Sequence, residues 1–265
     1  MNSLFNLKGR YIVLTGANGQ LGSSLVNYFL DLGAFVIAVD LSFEKLEVHK
    51  KNKNLITFKC NITSKNNVQQ LDDYLIANTI EPSVLINNAG IDSAPNNGPI
   101  ADNSFENFKL EEWEKVMNVN LTGTFLMTQS IGKIMAKCGR GSIINISSIY
   151  GRVSPIQELY EHMSTEKIKF VKPIAYSASK GALENFTRYC GTYWAKSGVR
   201  VNCLILAGIK NNQDKTFLSK YESRIPVGRM ACEADYHGGI HFLSCDASKY
   251  MTGSLLIIDG GWTAV

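Results

Sequence analysis

Short apolar runs alternate along the chain with longer stretches in which apolar residues recur every three or four positions. The first run, Tyr11-Ile-Val-Leu-Thr15, is rich in β-branched residues, stops at Gly16 and predicts a buried strand. The stretch 20–32 predicts a helix whose apolar face consists of Leu21, Leu25, Val26, Phe29 and Leu30. The same criteria predict strands at 35–39, 55–59, 84–87, 142–147, 200–206 and 255–258, and helices at 68–77, 111–137 with a break near 121–123, 175–196 and 234–243.

Strands that alternate with helices over a whole chain indicate a parallel sheet with helices on both faces. We therefore predict an α/β protein with a Rossmann-type doubly wound parallel sheet of about seven strands. The 265 residues contain no internal repeat, low-complexity block or change of composition. A single domain spanning 1–265 is expected.

Composition argues against several classes of protein. The net charge of +4 comes from scattered lysines and arginines, so we expect no nucleic-acid partner. No apolar run reaches the about 18 residues that a membrane span needs, and the first ten residues lack the apolar core of a signal peptide. The six cysteines show no CxxC spacing, which predicts reduced thiols and no metal site. These features predict a cytoplasmic protein.

A glycine-rich segment, 15–22, joins the first strand to the first helix. Its glycines allow a sharp turn and let a pyrophosphate reach the N–H groups at the helix N-terminus, so we predict a dinucleotide site rather than merely a tight turn. Asp40 ends the second strand, where a carboxylate accepts hydrogen bonds from an adenosine ribose and repels a 2′-phosphate. Because Asn18, Leu41 and Ser42 supply no cation, we expect NAD(H) in preference to NADP(H). Alternatively, Asp40 only caps the next helix.

Tyr176 and Lys180 stand four positions apart in a predicted helix and therefore share one face. An ordinary tyrosine, with a pKa of about 10, exchanges protons poorly near neutral pH. A neighbouring ammonium stabilises the phenolate and lowers that pKa, which makes the pair a candidate for acid–base catalysis. The same spacing also occurs on ordinary helix surfaces, so the pair is informative only together with other motifs.

Those other motifs follow one another in the order that is typical of the short-chain dehydrogenase/reductase family. The chain resembles that family from about residue 8 to its C-terminus. The matching segments are the glycine loop at 15–22, Asn87-Asn-Ala-Gly90, Asn120 in Val-Asn-Leu-Thr-Gly, Ser148 in Ile-Asn-Ile-Ser-Ser, Tyr176 with Lys180, Arg200-Val-Asn202, Pro226-Val-Gly-Arg229, Asp246-Ala-Ser-Lys-Tyr250 and Asp259-Gly-Gly-Trp262.

The resemblance implies four catalytic residues. Tyr176 would exchange a proton with the substrate oxygen, and Lys180 would hold the nicotinamide ribose and lower the pKa of Tyr176. Ser148 would orient the substrate oxygen, and Asn120 would anchor a water in the proton relay. The implied cofactor contacts are Gly16, Asn18, Gly19, Gln20, Leu21, Gly22, Asp40, Leu41, Asn61, Ile62, Asn88, Ala89, Gly90, Tyr176, Lys180 and Ile209.

The chain departs from the family pattern at several places. Gln20 replaces a small residue of the glycine loop, and Asn61 stands where an Asp is usual. Ala207-Gly208 replaces a frequent Pro-Gly, which predicts a less restricted loop. The separation between Ser148 and Tyr176 is roughly twice that of typical relatives, which indicates an insertion at 152–173 beside the active site.

The insertion is polar, with Arg152, Glu158, Tyr160, Glu161, His162, Glu166, Lys167, Lys169 and Lys172. The loops at 92–107 and 210–224, which face the crevice in this family, are polar too. A hydroxyl-rich or anionic small-molecule substrate suits these segments better than a sterol or acyl chain. The alternative is that the insertion is an exposed flap or an oligomer contact.

We therefore expect an NAD-dependent oxidoreductase that interconverts a secondary alcohol and a ketone on a polar, sugar-derived substrate. The alternatives are a 3-oxoacyl-type ketoreductase and a non-catalytic dinucleotide-binding regulator. The insertion and the C-terminus are similar to family members associated with surface polysaccharide or flagellin glycan synthesis. The resemblance also implies a homodimer or homotetramer through helices near 112–137 and 175–195, with a second interface near 262–265.

Overall fold

The computed structural model describes residues 3–92, 102–166, 168 and 170–265. Its centre is one parallel sheet with strands in the order β3-β2-β1-β4-β5-β6-β7. The strands are β1 Tyr11–Thr15, β2 Phe35–Asp40, β3 Leu55–Lys59, β4 Pro82–Asn87, β5 Gly141–Ser148, β6 Val199–Leu206 and β7 Leu255–Ile258. The predicted doubly wound α/β fold is confirmed. The chain order reverses between β1 and β4, which opens a crevice at their carboxyl ends.

Helices cover both faces of the sheet. They are α1 Gln20–Asp31, α2 Lys65–Ala77, α3 Leu110–Met117, α4 Thr124–Cys138, α5 Ile174–Trp194, α6 Lys215–Glu222 and α7 Ala234–Ser244. Helices α1 and α7 contribute to the core on one face, and α2, α4 and α5 to the core on the other. Successive residues of β1 point to opposite faces, so Ile12 and Leu14 lie in the first core and Val13 in the second. Residues 12–14 of β1 are therefore apolar without alternation, because both faces of the strand are buried.

The predicted helix at 111–137 is interrupted, as the sequence suggested. A π-helical segment, Asn118–Gly123, separates α3 from α4. A Cβ at Gly123 would lie only 2.6 Å from Ile62 Cδ1, so any larger residue there would displace the Ile62 side chain. The extra residue of a π-turn rotates the side chains around it, and such turns are frequent at functional sites. Here the turn carries Asn120, which is buried.

Helix α6 and the C-terminal segment belong to a third apolar cluster beside the crevice. Helix α6 was not predicted because it is short and polar, and its start depends on Asp214, whose carboxylate accepts the N–H of Phe217 at 2.9 Å. Trp262 is buried and stacks on Tyr221 with ring centroids 4.5 Å apart. Trp262 therefore packs inside its own chain, and the second interface expected near 262–265 stays a prediction. Within the described residues, no helix is both long and apolar enough to cross a membrane.

Candidate active site

The predicted proton-transfer pair lies at the carboxyl edge of the sheet. Pro173 precedes α5, and Tyr176 occupies the first turn of that helix, with Lys180 one turn further on. The Lys180 ammonium lies 5.6 Å from the centroid of the Tyr176 ring and donates to the carbonyl of Ile146 at 2.7 Å. Ser148 ends the neighbouring strand β5, and its hydroxyl accepts the N–H of Tyr150 at 3.2 Å. The structure therefore brings Tyr176, Lys180 and Ser148 together.

Asn120 holds the loop that follows β4. Its side-chain oxygen accepts the N–H of Ile91 at 2.8 Å, and its amide donates to the Ile91 carbonyl at 2.9 Å. The same amide donates to Ser179 Oγ at 3.0 Å, and that hydroxyl donates to the Tyr176 carbonyl at 2.7 Å. Asn120 thus ties the π-turn to the first turn of α5. The predicted water anchor remains a prediction, whereas the positioning role follows from these bonds.

The electrostatics of the pair differ from the expectation that Lys180 lowers the pKa of Tyr176. Tyr176 is partly exposed at the crevice, yet burial of its phenol raises its pKa, and the charge of Asp92 adds to this while hydrogen bonding with Ser148 opposes it. Burial also lowers the pKa of Lys180 to about 8. The ammonium is directed to the Ile146 carbonyl and faces the Tyr176 ring. Desolvation therefore dominates, and Tyr176 is held as a neutral phenol.

The glycine loop has the shape that a pyrophosphate requires. Gly16 has φ +65°, and a Cβ there would lie 2.8 Å from the Cα of Ala89, so only glycine fits. Gly19 is the residue before α1, and no side chain caps the helix there. The first N–H groups of α1 therefore face the crevice without a capping side chain, as anion binding at a helix N-terminus requires. These residues fit a dinucleotide.

The end of β2 is negatively charged. Both carboxylate oxygens of Asp40 accept backbone N–H groups, from Asn18 at 2.8 Å and from Leu41 at 2.6 Å. The Asn18 amide donates to Glu44 at 2.8 Å and to Ser42 at 3.0 Å. Glu44 was not singled out from the sequence, although its position four residues after Asp40 could have indicated it. Two carboxylates around Asn18 strengthen the repulsion of a 2′-phosphate.

The ends of β1 and β4 are joined beneath the crevice. Thr15 Oγ1 accepts the N–H groups of Asn88 and Ala89, both at 3.1 Å, and the Asn88 amide donates to the Gly16 carbonyl at 3.0 Å. A Cβ at Gly90 would lie 3.4 Å from both Asn120 Oδ1 and Lys180 Nζ. Asn88, Ala89 and Gly90 therefore lie between the glycine loop and the pair of Asn120 and Lys180, and their contacts with a cofactor remain predictions.

Asn61 and Ile62 make contacts within the protein. The Asn61 side-chain oxygen accepts two hydrogen bonds from Thr63, one from its backbone N–H at 3.0 Å and one from its hydroxyl at 2.9 Å. These bonds close a turn before α2. Ile62 is buried and packs against the π-turn at Gly123. Their contacts with a cofactor remain predictions.

The loop after β6 is more restrained than its sequence suggested. The Tyr221 hydroxyl accepts the N–H of Gly208 at 2.8 Å, and the Tyr236 hydroxyl donates to the Ala207 carbonyl at 2.9 Å. Two buried tyrosines thus restrain the loop in place of the missing proline, and a further bridge pairs Ile209 with Ala231.

Gln20, which stands where the family usually has a small residue, forms hydrogen bonds that a small residue could not form. Its amide donates to the Lys210 carbonyl and to a Glu233 oxygen, both at 2.7 Å. The glycine loop is therefore connected through this side chain to the loop after β6. Leu21 is buried, and Leu41 is exposed beside Asp40.

The insertion packs against the body of the protein. Leu159, Tyr160 and Phe170 are buried in the same apolar cluster as Tyr221 and Trp262. The description of the insertion as an exposed flap is therefore wrong for these positions, since apolar side chains hold the segment down. Lys167 and Lys169, and residues 93–101 of the adjacent crevice loop, lie outside the described residues.

Polar contacts attach the insertion to three neighbouring segments. The Tyr150 and Tyr160 hydroxyls lie 3.0 Å apart, and His162 Nε2 lies 2.9 Å from Asp214 at the start of α6. Lys172 forms an ion pair with Asp92, in the loop after β4. Asp92 was not among the predicted site residues, because only the fold brings it to the insertion.

Comparison with known proteins agrees with this geometry. A family model described as enoyl-(acyl carrier protein) reductase matches residues 16–263. The 2-dehydro-3-deoxy-D-gluconate 5-dehydrogenase of Bacillus subtilis is 29% identical, over 99% of this chain and 98% of that protein. The D-threitol dehydrogenase of Mycolicibacterium smegmatis is 29% identical, over 98% and 95%. The 3-oxoacyl-(acyl-carrier-protein) reductase of Thermotoga maritima is 30% identical, over 96% and 98%.

Solved structures superpose closely on the chain. A short-chain dehydrogenase from Leptospira borgpetersenii with bound NAD+ has a TM-score of 0.88 and 32% identity, over 99% of this chain and 96% of that one. A gluconate 5-dehydrogenase from Burkholderia cenocepacia in complex with NADP and tartrate has a TM-score of 0.85 and 25% identity, over 99% and 98%. The ordered motifs, the sheet and these matches agree. The chain belongs to the family of NAD(P)-dependent short-chain dehydrogenases and reductases.

Proposed function

We propose that this protein is an NAD-dependent oxidoreductase that interconverts a secondary alcohol and a ketone on a polar, sugar-derived substrate. The observation that carries the proposal is the placement of Tyr176, Lys180 and Ser148 around one end of the crevice, beside a glycine loop that fits a dinucleotide. When bound, the dinucleotide supplies the hydride acceptor or donor.

The side chains of the chain manage the proton and the position of the substrate. Tyr176 exchanges a proton with the substrate oxygen, and Ser148 donates a hydrogen bond that orients this oxygen. The raised pKa of Tyr176 keeps its phenol protonated, which is the form that donates to a ketone oxygen. Lys180 holds the nicotinamide ribose. Asn120 keeps the loop after β4 and the start of α5 in register through Ile91 and Ser179.

The preference for NAD(H) rests on the charge at the end of β2. Asp40 and Glu44 place two carboxylates around Asn18, and a 2′-phosphate would meet both. Named relatives bind either NAD+ or NADP, so the family alone does not decide the cofactor. We expect a KM at least tenfold lower for NAD+ than for NADP+ in the same assay. A lower KM for NADP+ would contradict the charge argument.

Two observations support the proposed substrate class. The insertion is polar in sequence, and the structure places the ammonium of its Lys172 5.6 Å from the Tyr176 ring centroid and in an ion pair with Asp92. Relatives aligned over nearly the whole chain carry the names of a deoxygluconate dehydrogenase and a threitol dehydrogenase. The narrower resemblance to enzymes of surface polysaccharide or flagellin glycan synthesis stays a prediction.

The test is the absorbance of reduced nicotinamide, measured with NAD+ or NADP+ and a panel of polyols, sugars, sugar acids and sugar phosphates. We expect turnover with one polar class and NAD+. Tyr176→Phe should lower kcat at least a thousandfold and leave NAD+ binding, measured by calorimetry, within about threefold of the wild-type value.

The competing functions give different results in the same experiment. The relative named as a 3-oxoacyl reductase keeps that alternative open, and turnover of a 3-oxoacyl thioester with NADPH but of no sugar would favour it. Binding of NAD+ without turnover of any compound, and without an effect of Tyr176→Phe, would favour the non-catalytic regulator.

The proposal includes a homo-oligomer in the cytoplasm. Phe125 on α4 and the stacked pair Tyr189 and Tyr193 on α5 are exposed, and such aromatic surface is typical of a protein interface. All six cysteines are free, in keeping with a reducing compartment. Light scattering after gel filtration should give a dimer or tetramer, and a monomer would contradict this part of the proposal.

A further inference from the structure

Lys172 is a buried cation beside the catalytic phenol. Its side chain is only 7% exposed, and its ammonium lies 5.6 Å from the Tyr176 ring centroid and 5.7 Å from that of Tyr160. Lys180 lies at the same distance from the Tyr176 ring, so two ammonium groups flank the phenol. Lys180 donates to a backbone carbonyl, whereas the ion-pair partner of Lys172 is a side chain.

The fold of the insertion determines where this cation lies. The side-chain oxygen of Gln157 accepts the N–H of Lys172 at 2.7 Å, and Phe170, two residues earlier, is buried in the apolar cluster. Pro173 follows immediately and is the last residue before α5. The Lys172 backbone is therefore held at both ends, one turn before Tyr176. The insertion delivers a positive charge to the reacting end of the crevice.

Asp92 neutralises this charge from the crevice side. Its side chain is 32% exposed, compared with 7% for Lys172, so the carboxylate remains in contact with solvent. Burial raises the pKa of Tyr150, Tyr160 and Tyr176, and the negative charge of Asp92 adds to the rise in each. A buried ammonium requires an anionic partner, but an exposed carboxylate is a partner that another anion can replace.

From this arrangement we infer that Lys172 is the binding residue for a carboxylate on the substrate, and that Asp92 occupies its place when no anionic substrate is bound. The inference rests on the proposed function and narrows its substrate class to sugar acids, in which a carboxylate accompanies the hydroxyl or keto group that reacts. A carboxylate held by a desolvated ammonium forms a strong, charge-assisted hydrogen bond. A neutral polyol has no carboxylate that Lys172 could bind, so Lys172 adds no affinity for it.

The experiment compares acids with the alcohols that differ from them only at the carboxyl carbons. The pairs are gluconate with sorbitol, and tartrate with threitol, each assayed with NAD+ on the full chain. Lys172→Gln should raise KM for the acid at least tenfold and change KM for the alcohol by less than twofold. Asp92→Asn should have the opposite effect on KM for the acid and lower it, because the substitution removes the competing carboxylate.

Two controls separate recognition from folding. Lys249→Gln removes an exposed lysine at the opposite edge of the sheet, among residues such as Arg10 and Arg200, and should leave both substrates unaffected. Lys172→Arg keeps the charge and should recover part of the affinity for the acid. If Lys172→Gln and Asp92→Asn raise KM for acid and alcohol alike, the ion pair only holds the insertion in place and the inference is overturned.

Direct binding distinguishes this inference from the proposed function. If the wild-type protein oxidises alcohols but does not prefer acids, the proposed function stands and the inference is wrong. If no sugar compound is oxidised, the proposed function fails, and calorimetry with gluconate and tartrate decides the inference. Binding that is lost in Lys172→Gln supports an anion site at Lys172, and absence of binding to the wild-type protein overturns it.

Discussion

Replacement of Lys180 by methionine isolates the energetic consequence of burying the catalytic ammonium. The side chain is 4% exposed, and burial lowers its pKa from 10.5 to about 8. Methionine has nearly the same length and no charge, so Lys180→Met removes the titrating group while it keeps most of the packing. The variant should lose turnover, because it lacks the ammonium that we propose holds the nicotinamide ribose.

The sign of the pH effect follows from proton binding in the two states. Below pH 8, Lys180 is protonated in both the folded and the unfolded chain, so it adds no pH dependence to the free energy of unfolding. Between about pH 8 and 10.5 the folded protein has released this proton and the unfolded chain keeps it. The free energy of unfolding therefore rises by about 1.4 kcal/mol per pH unit, or about 3 kcal/mol in all. This added stability is lost again as the pH falls from about 10.5 to about 8, the pKa of Lys180 in the folded protein.

The assay is urea unfolding of both proteins between pH 6 and 10 at one protein concentration, since an oligomer's stability depends on concentration. Other titrating groups are common to the two proteins and cancel in the difference. We expect the stability of wild type minus that of Lys180→Met to be constant up to about pH 8 and to rise by about 2 to 3 kcal/mol by pH 10. A constant difference over the whole range would show that Lys180 keeps its ordinary pKa, and would refute the reasoning.

Two further substitutions test positions where the backbone of the crevice is restrained. Gly16→Ala should lower the thermal midpoint and raise Kd for NAD+ at least tenfold, because its Cβ would lie 2.8 Å from Ala89 Cα. Gly139→Ala is the matched control, since Gly139 has a similar φ of +70° but open space around a Cβ; equal loss of NAD+ binding in both would contradict the steric argument. Tyr221→Phe leaves the Gly208 N–H without its acceptor and should cost about 1 to 3 kcal/mol in urea unfolding. Tyr250→Phe, at a fully exposed ring, should cost nothing, and equal effects would contradict this account.

Local patterns were sufficient for the sheet and for the core of the site. The strand–glycine–helix order around 15–22 and the four-residue spacing of Tyr176 and Lys180 depend on neighbours in the chain, and both lie at the crevice as predicted. Elements that depend on residues distant in the sequence were harder to predict. Helix α6 begins at an Asp214 cap and packs through Tyr221 on Trp262, and neither contact leaves a periodic signal in so short a segment.

The pKa of Tyr176 also depends on residues that are distant in the sequence, and local spacing predicted it wrongly. Spacing alone predicted a lowered value, since it placed an ammonium beside the phenol. The structure adds the protein atoms that desolvate the ring, the carboxylate of Asp92 from the loop after β4, and the Ile146 carbonyl that takes up the ammonium. Desolvation depends on everything that surrounds a group, and a sequence pattern records only its neighbours along the chain.

The sequence by itself determined the fold class, the place of the glycine loop and the pairing of Tyr176 with Lys180 on one helix face, because each follows from local periodicity and short motifs. Tertiary structure decided which polar groups contact one another. It paired Lys172 with Asp92, set Glu44 beside Asn18, and connected Gln20 to the loop after β6. These contacts join residues from separate βα units, and the crevice forms only where the carboxyl ends of the parallel strands converge.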